Sequence, residues 1–192
     1  TRVAMYSGQI AHAYGLDDKQ CREIEWAAQL HDIGKIAIPD AILNKDSRLT
    51  DAEYATMKSH TTRGAEILKD FTLLDHVTEG AQYHHERPDG KGYPKGLKGE
   101  EIPLYARIIG VADAFDAMTA TRVYRKQMDF GYVLGELEKG RGTQFASEFV
   151  DILLNLIRTN VIDLNKLYGI KPEDTAAKAE EKPETPPQGK EG

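Results

Sequence analysis

The chain has a single cysteine, Cys21, among 192 residues. An internal disulfide is therefore excluded, as is any site built from several thiolates, and the scarcity fits a reducing, cytoplasmic setting. Long apolar runs are also missing. Nothing approaches the ~20 residues a membrane-spanning helix needs, and the opening TRVAMYSGQI lacks the apolar stretch of a secretory signal. There is no basic excess either: 25 Lys and Arg stand against 31 Asp and Glu, for a net charge of −6. That balance argues against a general nucleic-acid surface, so no DNA partner is expected, and an anionic ligand would need a local basic patch. Sustained strand alternation and internal repeats are absent too. What remains is an ordinary composition, with 40% hydrophobic and 29% charged residues, enough to bury one core without disulfides. The chain lacks an initiator Met and reads as a fragment of a longer protein.

The periodicity is helical. Val3 to Tyr14 forms a short helix ending at Gly15. Asp17 opens a stronger one, with Gln20 as capping-box partner, and Cys21, Ile24, Ala28 and His31 recur at helical spacing. His31-Asp32-Ile33-Gly34-Lys35 then falls at the C-terminal end of that helix, where Gly34 is expected to help stop it. Ile38-Pro39-Asp40 reads as extended loop. Thr50 and Glu53 make a second capping box, opening a helix through Tyr54, Met57, His60, Ala65 and Leu68. A further helix is expected from about Leu74 to Glu86, carrying His84 and His85 at its end. The stretch from Arg87 to Pro103 holds four glycines and three prolines, too many for a regular element. Pro103 suits the first turn of the next helix, expected from Leu104 to about Thr119. Two more helices follow, near Asp129 to Lys139 and Ser147 to Ile157. Residues 171–192 contain four of the eight prolines and no aromatics, so a disordered tail is expected from residue 168 onward. The expected fold is all-α, a helical bundle over residues 1–167 with its site between facing helices.

Histidine is uncommon, six in 192 residues, yet four of the six fall into one set with two aspartates. The set is His31, Asp32, His60, His84, His85 and Asp113. Imidazole and carboxylate together suit divalent first-row metals. Adjacent residues on a helix point about 100° apart, so a His-Asp doublet can serve two metals or bridge them. A lone histidine on a helix is more often structural than a ligand. Three histidine-bearing helix ends and an aspartate in an otherwise apolar helix make that coincidence hard to sustain, because buried ionisable groups are costly unless paired or metal-bound. His12 and His76 belong to no such cluster. These observations point to a multi-metal hydrolytic centre.

His31-Asp32-Ile33-Gly34-Lys35 resembles the signature of the HD superfamily of metal-dependent phosphohydrolases. The run HHERPDGKGYP, His84 to Pro94, resembles the second signature of its HD-GYP subfamily, and Ala106 to Arg125 is similar to a third segment of it. HD alone is a weak dipeptide. HD followed by GK, then HHE and GYP, then ADAFDAMT, is a strong combination. The resemblance covers roughly residues 2 to 157 and implies a phosphodiesterase that hydrolyses the bacterial second messenger cyclic di-GMP to pGpG, often onward to GMP. It further implies that Asp32 bridges two metals, usually iron or manganese. His60, His84 and His85 would complete one, with His31 and Asp113 helping to hold the other. The family pattern has one more His ligand three residues before the Arg that matches Arg2, which precedes residue 1 here; a third metal cannot be argued from this chain. A sensory or receiver domain is expected upstream.

Two metals would activate a water and neutralise charge developing on a phosphodiester, so no protein nucleophile is required. Lys35 would contact a phosphate oxygen or support the leaving group, its bland reading being an exposed lysine favourable to the helix dipole. Gly92 and Tyr93 would form a loop at the mouth, the glycine admitting the ligand and the tyrosine bonding a phosphate or stacking on guanine. Arg122 and Arg125 would supply the basic patch, and Asp116 would orient a ligand His or an Arg. Two other readings compete: another nucleotide-cleaving HD phosphohydrolase, against which the GYP loop speaks, and a non-catalytic module that binds a cyclic dinucleotide or a protein.

Overall fold

The computed structural model describes residues 1–70, 76–123 and 130–168, with the side chains of 121–123, 165 and 168 also left aside. Ten helices lie in these residues: α1 Arg2–Tyr14, α2 Asp18–Leu30, α3 Asp40–Leu43, α4 Asp51–Lys58, α5 His60–Leu68, α6 Val77–Tyr83, α7 Leu104–Val123, α8 Phe130–Gly140, α9 Ser147–Arg158 and α10 Leu164–Tyr168. Short 3-10 turns occupy Ile33–Ala37 and Gly99–Glu101. Among the described residues there is no strand beyond two isolated bridges. The all-α expectation holds. The expected disordered tail falls almost wholly outside the described residues, as does Asp129.

Local signals place the helix starts. Asp17 accepts from the Gln20 amide at 2.8 Å while the Gln20 side chain accepts from the Asp17 amide at 3.1 Å. Thr50 and Glu53 repeat the pattern at 3.3 and 2.7 Å. Two caps thus satisfy backbone donors that a helix start leaves free. Gly15 closes α1 in the left-handed region, at φ 102°, a conformation that glycine adopts without steric cost.

The long helix α7 is the axis of the core. Ile108, Ile109, Ala112 and Phe115 on it are fully buried, and α1, α2, α6, α8 and α9 pack around it. Tyr6 of α1 meets Phe115 edge to face at 5.0 Å. Helix α9 lays Phe149, Val150, Leu153 and Leu154 into the same core. Such a bundle holds its helix ends rigidly, which positions the turns that carry the histidines.

Asp40, expected in a loop, opens α3, and α7 runs on to Val123; three further differences from the sequence expectation bear on the site. The helix through Tyr54 and Leu68 is broken at Ser59, whose hydroxyl donates back to the Thr56 carbonyl at 2.6 Å; such back-bonding bends helices. The break turns His60 inward at the start of α5 and leaves Tyr54 exposed. Helix α6 ends at Tyr83, so His84 and His85 lie in the turn beyond it. Gly34, finally, is not a helix stop: α2 ends at Leu30 and Gly34 has no positive φ. A Cβ at Gly34 would lie 1.9 Å from the His60 carbonyl oxygen and 2.5 Å from the Gly64 nitrogen. Its role is close packing of two backbones.

Gly34→Ala should therefore lower unfolding stability by about 2 kcal/mol or more, as overpacking does, measured by urea denaturation. A helix-ending residue with free space would instead gain a few tenths to about 1 kcal/mol from the same change, and that outcome would contradict the packing role.

Candidate metal centre

Three backbone turns and one helix converge on one point. His31 caps the C-terminus of α2, Asp32 follows it, His60 opens α5, His84 and His85 follow α6, and Asp113 projects from α7. His31, His60 and His84 are all buried. Each turns its Nδ1 to a main-chain carbonyl: His31 to Ala28 at 2.6 Å, His60 to Met57 at 2.8 Å, His84 to Gly80 and Ala81 at 3.0 and 3.1 Å. A carbonyl only accepts, so Nδ1 carries a proton in each, and Nε2 presents a lone pair whenever the ring is neutral. These three Nε2 atoms and Oδ1 of Asp32 are buried with no hydrogen-bond partner. A buried polar atom without a partner costs about 1–3 kcal/mol, so four converging on one point need a shared partner.

Asp32 sits in the middle and its two oxygens face different neighbours. Oδ1 lies 3.4 Å from His60 Nε2 and 4.0 Å from His84 Nε2. Oδ2 lies 3.3 Å from His31 Nε2 and accepts from Lys35 Nζ at 2.5 Å. His31 Nε2 is also 3.5 Å from Asp113 Oδ1. Two groups of donors each come within 4.8 Å: His60, His84 and His85, and His31, Asp32 and His84. His84 belongs to both. The donor chemistry fits two divalent cations side by side.

The electrostatics agree. Burial pushes His60 and His84 below the usual imidazole range, and the neighbouring imidazoles add to the effect at His84. Burial brings His85 down to about 4. These rings are neutral at pH 7, as ligands must be. Burial works the same way on His31, but Asp113 and Asp32 overcome it and raise that ring to about 10. Burial opposes the charged form of Asp32, yet His31 and Lys35 hold its carboxyl well below the usual range. The centre attracts positive charge, and His31 and Lys35 supply it here.

The loop after His85 closes over the centre. Tyr93 stacks on His85, with ring centroids 4.8 Å apart and planes 30° apart, so one of its faces is engaged by a histidine. Gly92 is close to the protein rather than open: a Cβ there would lie 2.4 Å from the Arg87 nitrogen and 2.5 Å from Glu86 Cα. Asp116 accepts from Arg2 Nε at 2.6 Å. The side chain of Arg122 and all of Arg125 lie outside the described residues.

Two residues had no role in the sequence reading. Glu86 is buried, and its carboxylate accepts from the amides of Lys95, Gly96 and Leu97 at 2.6, 3.1 and 3.0 Å. It ties down the far side of the Gly92–Pro94 loop. The available signal was a loop rich in glycine, whose amides need an acceptor somewhere. Gly110 lets α7 approach the His84 carbonyl, which a Cβ would meet at 2.7 Å; a glycine inside an apolar helix marks such an approach.

Fold and site define a class, an all-α protein whose His/Asp centre can accept two cations. The family model described as HD domain matches residues 1–148. The chain is 45% identical over 157 residues to a cyclic di-GMP phosphodiesterase of Thermotoga maritima, covering 81% of this chain and 43% of the relative. It is 44% identical over 156 residues to the cyclic di-GMP phosphodiesterase response regulator RpfG of Xanthomonas campestris, covering 80% and 41%. The chain thus spans about two-fifths of the length of these relatives. A cyclic GMP-AMP specific phosphodiesterase of Vibrio cholerae shares the fold, with a TM-score of 0.66 at 21% identity over 92% of this chain and 46% of that one. The chain belongs to the HD-domain family, and its likeness to the HD-GYP members stands. No helix among the described residues is long and apolar enough to cross a membrane.

Glu86→Ala should speed hydrogen exchange at the Lys95, Gly96 and Leu97 amides by about tenfold or more, since charge-assisted bonds contribute roughly 1.5–3 kcal/mol. Unchanged protection at these amides would remove the anchoring role.

Proposed function

We propose that this chain is a metal-dependent phosphodiesterase that hydrolyses cyclic di-GMP to pGpG, and onward to GMP. The observation that carries this reading is the split of Asp32, with Oδ1 facing His60 and His84 while Oδ2 faces His31. One carboxylate between two histidine groups is the arrangement a bridging ligand requires. His60, His84 and His85 would hold one ion with Asp32, and His31 and Asp113 would contribute to the other. Iron or manganese suits this donor set. Bound there, two such ions supply an activated water and offset the charge that builds up on a phosphodiester.

The chain's own residues do the rest. The Nδ1 bonds to main-chain carbonyls hold each imidazole in one tautomer and orientation. Lys35 is half-exposed beside Asp32, where its ammonium can turn to a phosphate oxygen or the leaving 3′-oxygen. Tyr93 and Gly92 shape the mouth, and Glu86 keeps that loop in place. Arg122 and Arg125 belong to the substrate-binding set on the resemblance of their segment. A cytoplasmic setting suits a second messenger. An upstream sensory or receiver domain suits the greater length of the relatives, one of which is named a response regulator.

Anaerobically purified protein should hold two metals per chain. With Mn²⁺ or Fe²⁺ it should convert cyclic di-GMP to pGpG or GMP by chromatography, and Asp32→Ala should abolish both metal and turnover. Full metal occupancy without turnover would favour a binding module, and absence of metal would remove the site assignment.

Metal uptake should also release protons. His31 holds a proton below about pH 10, and a ligand ring must lose it. The affinity for Mn²⁺ should therefore rise with pH between 6 and 8, by about tenfold per unit for one displaced proton. Titration calorimetry in buffers of different ionisation enthalpy measures the release. Equal release by His31→Gln would contradict His31 as the source.

A further inference from the structure

The cleft that opens at the His/Asp centre has a volume of about 400 Å³, within the range of small-molecule sites. His84, His85 and Asp113 line it at the centre, and Tyr54 and Tyr93 line it too. Tyr93 already has His85 against one face. Tyr54, by contrast, stays 49% exposed. An aromatic ring left in water at the wall of a site offers apolar area that a ligand can cover. Much of that wall is polar, with Glu86, Arg87, Lys91 and Gln144 on it. An open aromatic face in such a wall suits a flat, partly polar group such as a nucleobase.

Tyr54 is also held in place. It lies on α4 rather than on a loop, directly after Glu53, which accepts from the Thr50 amide at 2.7 Å and from Lys45 Nζ at 2.8 and 2.6 Å. One turn further on, Lys58 Nζ stands 5.0 Å over the Tyr54 ring and 5.8 Å over the Tyr93 ring, a contact in which the cation favours one orientation of the ring. Lys58 flanks one face of Tyr54 and is not a lining residue of the cleft, so the cleft is left to the other face. The break at Ser59 separates two tasks: α5 brings His60 into the centre, while α4 carries Tyr54 along its rim.

We propose that Tyr54 is the platform on which one base of a cyclic dinucleotide stacks while the phosphodiester lies at the His/Asp centre. Tyr54 is then a substrate-binding residue distinct from the metal ligands. It tolerates either purine, since every base offers a π face. The inference rests on the cyclic-dinucleotide reading of the site.

The test measures turnover of cyclic di-GMP and cyclic GMP-AMP by the metal-loaded protein. Tyr54→Ala should raise the KM of each compound that is cleaved by about tenfold, with a much smaller effect on kcat, as loss of uniform binding does. Tyr54→Phe keeps the ring and should stay close to the unmodified protein in KM. Tyr54→Leu keeps apolar bulk without a π face and should behave like Tyr54→Ala, which covers the case in which the alanine variant does not fold. Metal content and melting temperature, recorded alongside, should not move, because the residue is exposed and holds no metal. An unchanged KM in Tyr54→Ala or Tyr54→Leu, a loss confined to kcat, a fall in metal content, or a phenylalanine variant as poor as alanine overturns the proposal. If the unmodified protein cleaves neither compound, the phosphodiesterase reading fails by itself. Equilibrium binding of cyclic di-GMP to the same variants then decides the stacking. A Kd about tenfold weaker in Tyr54→Ala supports it, and an equal Kd, or no binding by the unmodified protein, overturns it.

Discussion

The structure depends on where the Nδ1 protons of three buried histidines go. Each proton is donated to a carbonyl of the histidine's own helix or of the turn just before it. Main chain therefore decides which nitrogen faces inward. The Nε2 lone pairs of His60 and His84, Nε2 of His31 and one carboxylate oxygen are left pointing at a common volume without hydrogen-bond partners. Folding such a cluster is unfavourable unless a cation completes it. The bundle around α7 supplies the packing that holds these groups together in the meantime. It keeps the three turns and Asp113 of α7 in register, so a cation would meet donors that are already oriented.

Glycine is the second constraint. Gly34 lies against the His60 carbonyl, Gly110 against the His84 carbonyl, and Gly92 against the turn of His85 to Arg87. At each place a methyl group would enter space held by backbone. Three ligand-bearing turns can approach one another because these positions have no side chain. None of the three has a positive φ, so steric room rather than conformational freedom explains them. Glu86 acts on the same scale from the other direction, by gathering three amides of the glycine-rich loop.

Much of this was legible in the chain. Capping boxes at Asp17 and Thr50 and the periodic apolar stripe of α7 gave the all-α bundle. Residue type and spacing singled out His31, Asp32, His60, His84, His85 and Asp113 as one set, and the structure brings all six to one centre. Other features were not legible because they are long-range. That Gly34 packs on His60 rather than ending a helix depends on an approach between residues far apart in sequence. The break at Ser59 arises from a local side-chain bond that competes with a good helical pattern. The burial of Glu86 depends on which atoms solvent reaches, and hydrophobic periodicity does not report that.

The most direct test is anomalous-scattering crystallography of the protein loaded with Mn²⁺ or Fe²⁺. Two peaks about 4 Å apart are expected, one beside His60, His84 and His85 and one beside His31 and Asp113, with one oxygen of Asp32 directed at each. A single peak, or two peaks with Asp32 touching only one of them, would contradict that arrangement.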